Sequence, residues 1–311
     1  MIPVLSYRLM QAALVALMVG VLTFILTHAL PGDMAFRIAA GRYGYDYVNA
    51  AAAAAVRAEL GLDLPAWQAL GHWLWDLLRL DLGHSLVSGE AVVDELRHQL
   101  GHSFKLAAAA VGLSLLLGPP LGILAGLRPG GRLDRLTLLL ATVLRALPQF
   151  VIGILLVMLL AVQLGWLPAA GHGSAAHTLL PALTLALGLA AVACRVSRNA
   201  MQDVAGSAYY AFGRTKGLGE GRVFSRHGLR NVAVPVLAHQ AMQLVYLIEG
   251  VVVVETLFAW PGIGHALVHA IVARDVPMIQ GTALVLGLMF VLLNALVDLL
   301  CHRIDPRRRE A

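Results

Sequence analysis

The chain has 311 residues, of which 59% are hydrophobic and only 13% charged, with a mean hydropathy of +0.76. Soluble domains of this length carry about a quarter charged residues, so the deficit excludes an ordinary water-soluble fold and points to lipid as the solvent. The net charge of +5 does not imply nucleic acid, because the basic residues flank apolar runs, where they set membrane orientation.

Six apolar runs follow in chain order: Leu9–Leu30, Phe104–Leu127, Leu136–Leu164, Thr178–Cys194, Val236–Phe258 and Ile279–Cys301. Backbone polar groups must pair internally in hydrocarbon, and runs of this length without strict alternation are helices rather than barrel strands. The expected fold is therefore an all-α membrane protein with six transmembrane helices. The first run is long enough to span and lacks a small-residue cleavage site. Pro31-Gly32-Asp33 stops it, so it is expected to be a retained helix, not a signal peptide.

The segment after it, 31–101, is too long and too patterned to be linker. Asp46–Leu60 contains the alanine run Ala50–Ala55 and favours helix. Pro65–Leu80 predicts an amphipathic helix, opened by Pro65, with Trp67, Leu70, Leu74 and Leu77 on one face. That face either packs on the protein's own outer surface or lies in the lipid interface with tryptophan anchors. The chain thus divides into an N-terminal span (1–30), an outer segment (31–101) and a core of spans (102–311).

Orientation follows from lysine and arginine. With the N-terminus inside, fifteen basic residues fall on the cytoplasmic side, among them Arg128, Arg132, Arg135, Arg195 and Arg198, against seven outside. Both termini are expected to be cytoplasmic. Cys194 and Cys301 then lie at the reducing face, and no disulfide is expected.

One cytoplasmic segment, 195–231, is too long for a tight turn. It includes Ala211-Phe212-Gly213-Arg214-Thr215-Lys216-Gly217-Leu218, then Arg226-His227-Gly228-Leu229-Arg230-Asn231 and Pro235. The pattern predicts a helix, a glycine break at Gly217 with positive φ, a second helix, and a proline that starts the next span. Such an elbow is either a docking knob for another protein or a basic loop beside anionic lipid. A further external segment, Ala259–Met278, opens with Trp260-Pro261-Gly262-Ile263-Gly264 and continues as a short helix.

Charged groups inside spans are costly and mark candidate sites. Glu249, Glu255 and Asp298 qualify, and with Pro261 and Gly262 they form the candidate pore or gate set. Arg145 either snorkels or faces a polar interior. His98 and His102, four apart, suit either a surface pair or a metal route, but a third ligand at convincing spacing is missing, and no metal site is expected. The chain has no G-x-x-x-x-G-K-[ST] phosphate loop, and its only lysines are Lys105 and Lys216. No catalytic constellation stands out, so the chain is not expected to be an enzyme.

The motifs together resemble the permeases of binding-protein-dependent ABC importers, in the dipeptide, oligopeptide and nickel branch. The resemblance rests on the Ala211–Leu218 core with its Arg226–Asn231 continuation and Pro235. It rests also on Leu30-Pro31-Gly32-Asp33; on Leu60-Gly61-Leu62-Asp63 with Pro65; and on Asp81-Leu82-Gly83 with Ser85. Glu255-Thr256-Leu257-Phe258-Ala259-Trp260-Pro261-Gly262-Ile263-Gly264 is the most specific string, and Asp298 with Asp305-Pro306-Arg307 closes the match. Two positions depart from the family pattern. Phe212 is bulky where a small residue is usual, and Lys105 replaces a carboxylate at the start of the second span.

The resemblance implies a permease fold in the bacterial inner membrane with a cytoplasmic coupling loop at Ala211, Phe212, Gly213, Arg214, Lys216, Gly217 and Leu218. It implies a second homologous permease subunit, two ATPase subunits that bind ATP and magnesium, an external solute-binding protein, and no cofactor on this chain. Lipid surrounds it, and no nucleic acid is involved. The cargo class it implies is peptide, with nickel or a metal chelate as the alternative. An ion-coupled secondary carrier, which needs no coupling loop, and an exporter or structural subunit are the rival classes.

Overall fold

A computed structural model describes residues 2–29, 32–44, 48–60, 65–79 and 81–304. Several sequence features lie outside the described residues: Leu30, Pro31, Asp46, the Gly61-Leu62-Asp63 stretch, Asp305, Pro306 and Arg307. Every described element is a helix, apart from an isolated bridge between His84 and Ala91.

The elements in order are α1 (Ile2–Ala29), α2 (Met34–Tyr43), α3 (Ala50–Leu60), α4 (Ala66–Leu78), α5 (Val92–Leu127), α6 (Arg132–Ala146) and α7 (Gln149–Leu156). The end of α7 widens into a π-helical stretch, Val157–Gln163. Then come α8 (Ala175–Ala205), α9 (Ala208–Thr215), α10 (Glu220–Val223), a π-helical turn Phe224–Gly228, α11 (Leu229–Leu257), α12 (Ile263–Ala273) and α13 (Val276–Ile304).

Among the described residues, α5, α8, α11 and α13 are long and apolar enough to cross a membrane, and the pair α6–α7 makes a fifth if its two arms count as one span. The described part of α1 has a shorter apolar stretch, Met10–Leu26. One expectation needs correction. Leu136–Leu164 is not a single straight helix, because its two arms meet at 108°. The cause is Pro148. The residue before a proline is pushed out of the helical region, and Leu147 accordingly has φ −84° and ψ 133°. Pro148 then opens α7, where its missing N–H leaves no bond unmade.

The helices form two compact units. One comprises residues 1–103 and 261–292, the other 104–260 and 293–311. This division by packing differs from the three sequence segments in where 261–292 falls.

In the first unit, Asp33 caps α2 by accepting from the Ala35 N–H at 2.9 Å, and Asn49 caps α3 by accepting from the Ala52 N–H at 2.8 Å. The buried residues Ala35, Ile38, Ala39, Ala53 and Val56 seal α2 against α3. On α4, Leu70 and Leu74 are half-buried, while Trp67 is 73% exposed and Trp75 56% exposed. The Arg79 guanidinium lies 4.8 Å from the centre of the Trp75 ring, Trp67 does not share one covered face with Leu70 and Leu74, and the Leu77 side chain lies outside the described residues. The short segments converge on the α12–α13 junction. Arg274 closes α12 in the left-handed region and donates to the Gly32 carbonyl at 3.0 Å. Asp275 accepts from the Ser85 hydroxyl and from the Leu86 N–H at 3.1 Å.

In the second unit, α5 and α8 run at very close range. A Cβ on Gly118 would lie 2.7 Å from the Ala190 carbonyl oxygen, one on Gly122 2.2 Å from that of Cys194, and one on Gly126 2.5 Å from that of Arg198. The spacing of four residues puts these glycines on one face of α5, the arrangement by which membrane helices bring their backbones together. Cys194 is buried in this seam with its thiol free. α11 joins the group through Leu247, Val251 and Val254, which pack with Leu106, Leu180 and Leu185. Gln240 on α11 donates to the Ser114 hydroxyl on α5 at 2.9 Å, with both residues buried.

Candidate functional site: a glycine-closed helical elbow

The elbow begins where α8 ends. α8 continues as a helix for eleven residues past Cys194, to Ala205. It is held there by Arg198, whose Nε lies 2.7 Å from Oδ1 of Asp134 and whose second nitrogen donates to Oδ2 at 2.9 Å. Asp134 stands ahead of the apolar stretch that starts at Leu136, and it also accepts from the Gly130 N–H at 2.8 Å. The Arg198 guanidinium and the Gly130 N–H, outweighing burial, hold the Asp134 carboxyl down to about 2. A forked arginine–carboxylate pair of this kind fixes direction as well as distance, so it orients the end of α8 that carries the elbow.

Ser207, in extended conformation, starts α9 after Gly206. α9 is amphipathic. Tyr210 and Gly213 are buried, and Tyr209, Ala211, Phe212, Arg214 and Thr215 are exposed. Its end follows from one glycine. Gly217 has φ +77°, its N–H donates to the Arg214 carbonyl at 2.8 Å, and the Leu218 N–H donates to the Gly213 carbonyl at 3.3 Å. These two bonds make a Schellman closure, which calls for a left-handed residue at the position Gly217 occupies. Nothing lies within 4 Å of a Cβ built at Gly217, so the requirement there is conformational, not steric.

α10 starts after Gly219 and turns the chain back, and the π-helical turn runs straight into α11. One expectation is corrected here. Pro235 does not begin the span, because α11 starts at Leu229 and carries Pro235 within it. Gly213 packs closely on α10: a Cβ there would lie 3.2 Å from Cγ1 of Val223. Gly228 is a second close approach: a Cβ there would meet the Phe224 ring at 2.7 Å and the Tyr210 ring at 3.4 Å. Tyr210, Val223, Val232 and Val236 pack with Met201 and Val204 of α8, so the elbow shares a core with the helices on either side of it.

The exposed face of the elbow is aromatic and basic. Phe212 is 59% exposed and Tyr209 44% exposed. Lys216 Nζ lies 4.6 Å from the centre of the Phe212 ring, and the Arg214 guanidinium 5.3 Å from that of Tyr210. The bulk of Phe212 therefore points outward and does not disturb the elbow's own packing.

The pore or gate candidates fall on three elements, α11, the entry to α12, and α13. Glu255 is fully buried in the last turn of α11. Pro261 and Gly262 lead into α12, with Gly262 at its cap position. Asp298 is exposed on α13. Glu249 lies on α11, but its side chain is outside the described residues. His98 and His102 meet edge to face at 4.9 Å, and among the described residues no group of three or more His, Cys, Asp or Glu side chains is placed to hold a metal. Sequence reasoning missed the α5 glycine seam and the Asp134–Arg198 pair. The four-residue glycine spacing was a visible signal for the first, whereas nothing local marks the second.

Residues 118–310, which include the elbow, match the family described as binding-protein-dependent transport system inner membrane component. The chain belongs to this family. The permease is 38% identical over 302 residues to the glutathione transport system permease protein GsiC of Pectobacterium atrosepticum, with 97% of each chain covered. It is 38% identical over 310 residues to a putative peptide transport system permease protein of Brucella abortus, again with 97% of each covered. GsiC of Escherichia coli K12 is 37% identical over 291 residues, covering 94% of each. Among solved structures, an amino acid ABC transporter matches 68% of this chain and 94% of its own at a TM-score of 0.54 and 15% identity, a likeness of fold. The chain is therefore an inner-membrane permease component of an ABC importer, with the all-α permease fold, and such components are not themselves enzymes.

Proposed function

We propose that the permease forms half of a peptide translocation path, paired with a second homologous permease subunit, and that its elbow docks in a groove on an ATPase subunit. Six spans place both termini and the elbow in the cytoplasm. Two ATPase subunits bind ATP and magnesium. Their closure on ATP moves α9, and α9 moves α8 and α11, because all three share one buried core. An external solute-binding protein delivers cargo to the outer segments. Peptide is the cargo class favoured by the relatives, two of which are named for glutathione and one for peptide transport.

The observation that carries this reading is the elbow itself. A surface helix is held rigidly by a Schellman closure and a shared core, yet it turns Tyr209, Phe212, Arg214 and Lys216 outward. A loop resting on anionic lipid needs basic charge, but it does not need a fixed aromatic face. The test has two arms. Cysteine labelling from outside intact cells should fail at an engineered cysteine replacing Gly219, and efficient labelling there contradicts the topology. Uptake of a labelled tripeptide into vesicles should require the binding protein, both permeases and ATP together; uptake driven by an ion gradient without ATP contradicts the importer mechanism.

A further inference from the structure

The second unit contains a cavity of about 430 Å³ between α6, α8 and α11, separate from the exposed face of the elbow. Its polar lining is Arg145, Arg195, Asn199, His239, Gln243 and Tyr246, and no acidic residue among the described ones lines it. The apolar part consists of Ala141, Ala191, Val192 and Val196.

The hydrogen-bonding capacity of this lining is weighted toward donors, with Gln243 and Tyr246 able to accept as well. Arginine donates and never accepts. Arg145 and Arg195 form no ion pair among the described residues, whereas Arg198, three residues further along α8, is paired with Asp134. The Asn199 side-chain oxygen is already taken by Arg198 at 3.1 Å, which leaves its amide N–H groups to donate. The His239 Nε2 is buried without a partner. Both arginines are exposed, so their guanidinium groups stay open to an anion that enters the cavity. What the lining lacks is a group that only accepts, with several lone pairs in one plane, and a carboxylate is such a group. The volume falls within the roughly 300–1,000 Å³ usual for small-molecule sites and accommodates a short peptide.

We infer that this cavity is a cargo subsite, in which Arg145 and Arg195 hold the C-terminal carboxylate of a short peptide as it passes, with Asn199 and His239 as further donors. The inference rests on the reading that the permease passes peptides, and it adds which end of the peptide this chain recognises. Arg145 and Arg195 come from different helices, so movement of α8 against α6 changes the grip on the carboxylate.

The test uses the assembled transporter, with both permeases and the ATPases, in phosphatidylcholine nanodiscs for binding and, with the binding protein added, in proteoliposomes for uptake. The probes are trialanine and its C-terminal amide. The double variant Arg145→Gln, Arg195→Gln should lower the ratio of free-acid to amide uptake at least tenfold relative to wild type, and Arg145→Lys should recover part of it. Comparing ratios removes any preference that belongs to the binding protein. An unchanged ratio overturns the inference. So does loss of the second permease from the purified double variant, which would make these arginines a subunit contact. A third contrary result is an effect seen only when phosphatidylglycerol is added, which would assign the arginines to a lipid headgroup. Equilibrium binding of trialanine to the nanodisc complex separates the two levels of the argument. Saturable binding that weakens tenfold in the double variant, in a transporter that moves no peptide, upholds the subsite and removes the peptide-import reading. Absence of saturable binding in wild type overturns the subsite.

Discussion

At the α5–α8 seam, a Cβ on Gly122 would lie 2.2 Å from a carbonyl oxygen, whereas at the turn after α9 a Cβ on Gly217 would meet nothing within 4 Å. The seam has no room, and the turn has room but demands φ +77°. The two glycines therefore fail in different ways. Filling the seam forces two spans apart and weakens the helix group as a whole. Changing the turn leaves the spans as they are and re-aims a surface helix. This contrast separates what holds the permease together from what lets it be driven.

The seam should give the largest effect. Gly122→Val inserts a branched side chain against backbone, where overpacking costs about 1–3 kcal/mol or more and the neighbour cannot swing away. Membrane abundance should fall severalfold, read by immunoblot of isolated membranes. Normal abundance with normal thermal stability would mean that the helices do not meet as closely as described. Gly217→Val comes next. A β-branched residue in the left-handed region costs about 1–2 kcal/mol locally, and abundance should stay near wild type while uptake falls. Asp134→Asn sharpens the comparison from the side of α8. It removes charge-assisted bonds worth about 1.5–3 kcal/mol and should lower the melting temperature in detergent, with transport reduced in proportion to folded protein. The same pair sets a pH dependence. Its carboxyl is held below the ordinary 3.8, so its stabilisation is full above that value and fades as pH falls toward about 2, a loss that Asp134→Asn should abolish in acid melts. Gly213→Ala should have the smallest effect, because the gain of up to about 1 kcal/mol in helix propensity is offset by a 3.2 Å contact with Val223.

The parts legible in the sequence were those governed by local chemistry. Gly217 announced a positive φ because a basic amphipathic helix ran into Lys216-Gly217-Leu218, and a Schellman closure needs only neighbours in sequence. Apolar length gave the long helices α5, α8, α11 and α13, and the ordered motifs gave the family. What hydropathy could not show was where a helix bends or continues. Pro148 breaks its run, at the head of α7, while Pro235 sits inside α11 and Pro119 and Pro120 sit inside α5. The same residue type acts oppositely depending on what surrounds it. Long-range pairings were silent for a similar reason. Asp134 and Arg198 are 64 residues apart, and Asp275 reaches a hydroxyl 190 residues away. The Arg145 and Arg195 cavity belongs to this class: each arginine looks like a boundary or snorkelling residue until three helices bring them to one space.

The claim that the elbow is an aimed docking helix is tested most directly by comparing Gly217→Val with Gly217→Asn in pull-down of the ATPase subunit, at matched membrane abundance and with peptide uptake measured in parallel. Asparagine enters the left-handed region far more readily than valine and keeps the closure of α9. The account predicts that Gly217→Val loses most ATPase association and most uptake, while Gly217→Asn retains the larger part of both. Equal, full association and uptake in the two variants would contradict it, because the conformation at Gly217 would then have no bearing on coupling.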